Sequence, residues 1–129
     1  MKKLIFFKVI LLCLSLNLYA SSTNIKNAHA IGIFDENGNG ENIQHTRKTK
    51  ADYNGTCFTK VVVIGEFYHT KPEVYIGNSR GYFQKSKSIY NKRKVKIGEV
   101  LTYQHFNVSS GYINVKIDNK TYDFKVFVK

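Results

Sequence analysis

The chain has 129 residues, 20 Lys and Arg against 9 Asp and Glu, and a net charge of +11. That length is a prior for one domain with a single modest core. The basic balance favours anionic partners.

The first residues read as a targeting segment. Met1-Lys2-Lys3 gives a positive start, Val9 to Leu18 a short apolar core, and no acid occurs before Asp35. This is the layout of a secretory signal peptide. The apolar run falls short of the roughly 20 residues a spanning helix needs, so the mature chain is expected to carry no transmembrane segment. Cleavage is expected after Ala20, with Ala28-His29-Ala30 as a competing small-x-small site. Cys13 does not read as a lipidation site, because Leu12 precedes it and the apolar core continues past it. The expected organisation is a signal peptide over 1–20, a polar, partly ordered arm over 21–56 and a β domain over 57–129, in the periplasm or outside the cell. Loss of the leader leaves Cys57 as the one cysteine, so no intramolecular disulfide is available. Cys57 begins an apolar run and reads as a small buried hydrophobe, with an intermolecular disulfide as the alternative.

Residues 21–56 are dominated by Asn, Gly, Ser, Thr and Lys, and only Ile31 to Phe34 resembles a short strand. Asp35 to Glu41 has the alternating oxygens and sixth-position Gly of a calcium loop. The twelfth position is Thr46, however, where a bidentate Glu is needed, so the segment reads as an Asn-Gly turn. Three glycosylation sequons occur, at Asn54, Asn107 and Asn119. Asp52 lies two residues before Asn54, as in an extended acceptor sequon. Asn54 also lies at a loop-to-strand boundary and is the candidate glycosylation site.

From Cys57 the texture changes. Val61-Val62-Val63-Ile64 predicts a strand buried on both faces, and Gly65 predicts a bulge. Pro72 marks a break, Val74 to Ile76 a short strand, and Gly77 to Gly81 a turn. Val95 to Phe106 alternates as strands interrupted at Gly98. At the C-terminus Ile113, Val115 and Ile117, then Tyr122, Phe124, Val126 and Val128, alternate with mainly polar residues across Asp118 to Thr121. This pattern predicts a hairpin with one buried face. The fold class is all-β, with a compact antiparallel sheet as the expected form.

Val74-Tyr75-Ile76-Gly77-Asn78-Ser79 resembles the opening strand and turn of bacterial SH3-like (SH3b) domains. Lys94 to Leu101 resembles their Lys-x-Gly-x-x-Leu segment. Gly111 to Thr121 resembles their aromatic-x-x-Val-Lys stretch with its Lys-Thr ending. The resemblance covers about residues 73–129. Tyr112 stands at the family's usual Trp, and Tyr122-Asp123 at its Gly-aromatic pair. It implies a small barrel, often an accessory binding module of cell-envelope proteins, and it carries over no catalytic residues.

No constellation assigns chemistry. His29, His45, His69 and His105 lack metal-ligand spacing, and one Cys cannot complete a thiolate site. No nucleophile elbow occurs and the carboxylates are scattered, so the expectation is a non-enzyme without metal or cofactor. The remaining signal is charge. Arg80, Lys85, Lys87, Lys92, Arg93, Lys94 and Lys96 occur without one acid between Glu73 and Glu99, interleaved with Tyr82, Phe83 and Tyr90. Basic and aromatic residues together suit polyanions and sugars. The structural alternative is a solvated hairpin whose lysines protect a strand edge. The expected partner is an anionic envelope polymer or glycan. The alternative is an envelope protein met by a subunit or inhibitor through a β edge. Export argues against nucleic acid.

Overall fold

The computed structural model describes residues 23–67 and 71–129. The expected signal peptide, its Ala20 cleavage site and His69 lie outside the described residues. Among the described residues nine strands form one antiparallel sheet that curls into a half-barrel: β1 (Thr23–Asp35), β2 (Gly40–Asn42), β3 (Gly55–Phe67), β4 (Glu73–Ile76), β5 (Ser79–Tyr90), β6 (Lys96–Val108), β7 (Gly111–Ile117), β8 (Lys120–Asp123) and β9 (Phe127–Val128). The order across the sheet is β2-β1-β3-β6-β5-β4-β7-β8, with β9 paired to β7. Among the described residues no helix is long and apolar enough to cross a membrane.

Within the stretch expected to be a polar arm, Thr23–Asp35 and Gly40–Asn42 are strands of the sheet. β1 runs antiparallel to β3 from Thr23 opposite Phe67 to Asp35 opposite Cys57. Its alternation is hard to read because two register shifts, between Ile25 and Asn27 and between Ala30 and Gly32, reset the phase. The buried residues are therefore Ala28, Ala30 and then Ile33, and two of these three are small. Residues 43–54 are fixed from both sides. The Glu41 carboxylate accepts from Lys50 N, Ala51 N and the Tyr53 hydroxyl. Thr49 N donates to Phe127 O, and Phe127 N to Arg47 O. Burial raises the Glu41 pKa, but these hydrogen bonds outweigh it and hold the carboxyl below its ordinary value.

The core lies on the concave side. Cys57, Thr59, Val61 and Val63 from β3 face Leu101, Tyr103 and His105 from β6, with Val74 and Ile76 of β4 and Ile113, Val115 and Ile117 of β7 beyond. The β3 strand is not buried on both faces as its sequence suggests. Val62 and Ile64, on the convex side, are only half-buried. Gly65 sits at the expected irregularity. Its φ is +119°, and a Cβ there would stand 2.1 Å from Asn24 O, so no L side chain fits.

The C-terminal hairpin forms, with a correction. Ile117 pairs with Lys120 across Asp118 and Asn119, at φ 51° and 66°, which is the two-residue turn that matches strand twist. Ile113, Val115 and Ile117 point inward as expected, but the expected alternation from Tyr122 to Val128 breaks. Asp123 is buried and Phe124 is 54 % exposed, because a register shift falls between Val115 and Lys116 and β8 ends at Asp123. The Asp123 carboxylate accepts from Ala30 N at 2.9 Å in a buried bond, joining β8 to β1 where the sheet curls back on itself. Asp123→Ala should cost about 1–3 kcal/mol, because it strands the Ala30 N–H. Asp123→Asn, which keeps an oxygen acceptor, should cost less. Urea midpoints of the two variants check this, and equal losses would count against the bond.

Candidate functional site: a basic hairpin and its aromatic face

The basic segment is a β-hairpin. β5 pairs with β6 from Gly81 opposite His105 to Tyr90 opposite Lys96. At its end Asn91 closes a three-residue loop, Lys92–Lys94. Asn91 N donates to Val95 O, and Lys94 N donates to Asn91 O. The Asn91 side-chain oxygen accepts from Arg93 N at 2.9 Å and Val95 N at 3.0 Å. Such a loop ends on a left-handed residue, and that residue is Lys94, at φ 61°.

The eight expected contact residues do not form one compact patch. Arg80 lies beside Asn78, Tyr82 and Phe106 at one end of β5. Lys85 and Lys87 lie along the strand, and Tyr90, Lys92, Arg93, Lys94 and Lys96 lie at the far end; all eight are exposed. Arg80 and Tyr90 are ten positions apart, or about 33 Å at the strand rise. That exceeds the Debye length of about 8 Å at physiological salt, so a small anion cannot meet both ends. An extended polymer or a flat surface can. Lys96 is already paired, its Nζ 3.1 Å from Glu99 Oε1 in a salt bridge. Phe83, expected among the surface aromatics, turns inward and meets Tyr103 edge-on, with ring centroids 6.0 Å apart.

The sheet adds residues that the segment's sequence does not indicate. Lys60 of β3 and Lys85 of β5 are both partnered by Thr102 of β6, and Gly32 of β1 by Lys60. The next convex row runs Phe34, Phe58, Gln104, Tyr82. Phe34 and Phe58 stack at 5.0 Å with rings 7° from parallel, and Lys60 Nζ lies 5.6 Å from the Phe34 ring centre. The Phe34 ring and the two lysines border a shallow basin of about 530 Å³ that continues onto Gly38 and Glu41.

The other candidate groups resolve one by one. Asp35 spans the β1–β2 turn, its Oδ1 accepting from Asn37 N and Asn39 N, so the calcium-like stretch is an Asn-Gly turn. Among the described residues no three His, Cys, Asp or Glu side chains come together as metal ligands. Asn54 is exposed immediately before β3. Cys57 is fully buried, and burial pushes its thiol up to about 12. It stands opposite His105 in the β3–β6 register, a juxtaposition the sequence does not reveal. Both ring nitrogens of His105 are already engaged, Nε2 with Thr59 Oγ1 at 2.8 Å and Nδ1 with Ser79 O at 3.3 Å. A protonated thiol beside a fully bonded imidazole is not an activated pair.

Comparison with protein-family models, with curated proteins and with solved structures returns no match.

Proposed function

We propose that this chain is an exported, non-catalytic binding module of the cell envelope or extracellular space that contacts an anionic surface or glycan through the β5–β6 hairpin. The observation that carries the reading is the loop Lys92–Lys94. It holds three adjacent exposed cations on a hydrogen-bonded apex, none in a salt bridge among the described residues, with Lys85 and Lys87 following along the strand. Acids that would cancel the field are absent from this stretch up to Glu99. The resemblance of residues 73–129 to SH3b domains belongs to the same proposal. An SH3-like barrel is the finer reading of the curled sheet, and such barrels serve as accessory binding modules in envelope proteins.

The test is retention on envelope fractions and on an immobilised polyanion as salt rises. Retention of the wild type should fall steeply with salt, because the contacts are solvated charges. The variant Lys92→Gln/Arg93→Gln/Lys94→Gln should lose most of it with its melting temperature nearly unchanged, since exposed charges contribute little stability. Retention unchanged by the triple substitution, or by about 1 M salt, would overturn the electrostatic reading.

A second reading has its own observation. Tyr112, Phe124 and the half-buried Phe127 form an aromatic cluster with ring centroids 5.2 and 5.3 Å from Tyr112, and Tyr112 and Phe124 are 45 % and 54 % exposed. Such a patch suits a protein partner. Salt-insensitive capture of one defined envelope protein, lost in Phe124→Ser, would favour it.

A further inference from the structure

Resting on the anionic-surface reading, we infer that the surface is a lipid bilayer carrying anionic headgroups, and that the β5–β6 apex dips apolar side chains into its interface. Residues 90–97 are eight consecutive exposed residues. They include the three cations of the loop and three large apolar side chains: Tyr90 at 61 %, Val95 at 56 % and Ile97 at 37 % exposed. A single exposed hydrophobe is ordinary. Three at one hairpin end, outside the hydrophobic core, need a reason. A hairpin that only had to stay soluble, or to hold a polyanion, would be better served by polar residues at these positions.

The kind of apolar residue selects the partner. Val95 and Ile97 are branched aliphatics, which offer no flat ring on which a sugar or base can stack. They gain when moved from water toward acyl chains. Tyr90, with an apolar ring and a polar hydroxyl, suits the headgroup level where Tyr is enriched. Cations beside these residues meet the negative potential of anionic lipid, each strengthening association about fivefold near the surface.

The backbone of the apex is fixed before contact by the bonds around Asn91, so little ordering accompanies docking. Lys94 occupies a left-handed conformation where Gly or Asn would be at ease. The strain keeps a cation at the apex, a local cost of the kind found where a site needs a particular side chain.

The experiment is co-sedimentation of the purified protein, in the form the cell produces, with phosphatidylcholine vesicles and with vesicles that also contain phosphatidylglycerol. Retention on immobilised polyphosphate is measured in parallel. The wild type should bind the mixed vesicles and not the neutral ones. Val95→Ser/Ile97→Ser, which keeps every cation, should weaken vesicle binding about tenfold or more and leave polyphosphate retention unchanged. Lys94→Gly should weaken vesicle binding about fivefold without lowering the melting temperature. The chain has no Trp, so Val95→Trp supplies a single tryptophan whose emission, excited at the red edge where tyrosine does not absorb, should shift to the blue on mixed vesicles.

Vesicle binding by the double Ser variant equal to wild type, or no blue shift from a bound Trp variant, would overturn insertion. Polyphosphate retention without any vesicle binding would also overturn it, and would leave the broader anionic reading standing. Binding to neither would overturn both.

Discussion

Val115→Asp should abolish most of the stability of the fold, at a cost of about 4 kcal/mol or more. Val115 is fully buried in β7, between Val74 of β4 on one side and Asp123 of β8 on the other. A carboxylate at this position loses its water and finds no cation. It also stands beside a second buried carboxylate, Asp123, which is already committed to Ala30 N. Two acids in a low-dielectric pocket repel strongly, and the group can escape only by binding a proton or by opening the hairpin. Lys116→Asp, one residue along, provides the contrast. Its side chain is on the other face and half-buried, opposite Glu73. The expected cost there is about 0.5–1 kcal/mol, from one unfavourable cross-strand pair. Urea midpoints measure both. Equal destabilisation would mean that the inward face of β7 is wrongly assigned.

The legibility of this fold follows its hydrophobic periodicity. Val74 to Ile76 and Ile113 to Ile117 read correctly because each has large apolar residues in unbroken phase and ends at a turn. β1 did not read as a 13-residue strand, because its core positions are Ala, Ala and Ile and two bulges shift their phase. The Tyr122–Val128 alternation misled for a related reason. A register shift placed Asp123 where an apolar neighbour was expected, and a backbone N–H from a distant strand satisfies it. A pairing of this kind, 93 residues apart in sequence, leaves no local signal. The candidate site divides in the same way. Lys92, Arg93 and Lys94 are adjacent in the chain and were visible as a charge run. Lys60, Phe34 and Phe58 reach the neighbourhood of Lys85 only through the order β1-β3-β6-β5, which single-strand patterns do not encode. Phe83 reads as a surface aromatic because a strand's period alone does not say which face is the core.

Acidification should weaken the fold through His105, by roughly 2 kcal/mol between pH 7 and pH 5. The ring is fully buried, and the glycine at position 81 leaves room for it, since a Cβ there would lie 2.9 Å from its Cε1. The Ser79 carbonyl can only accept, so Nδ1 carries the proton toward it. Nε2 then accepts from the Thr59 hydroxyl. This neutral tautomer satisfies every polar atom of the ring. Across the sheet stands the Cys57 thiol, which burial keeps protonated, so no anion is at hand to stabilise an imidazolium. Burial therefore pulls the pKa down to about 4, although the Ser79 bond acts in the opposite direction. In the unfolded chain the ring titrates near its ordinary value of 6.5. Above that value both states are neutral and the contribution is fully present. As pH falls from about 6.5 toward 4 the unfolded state takes up a proton that the folded state refuses, and stability is lost. His105→Gln removes the titration, so the variant should lose less stability than the wild type over the same interval, whatever its cost at pH 7. Urea denaturation of both proteins at pH 7 and pH 5 reads the difference. Parallel losses in the two proteins would show that the His105 ring is not held neutral by the core.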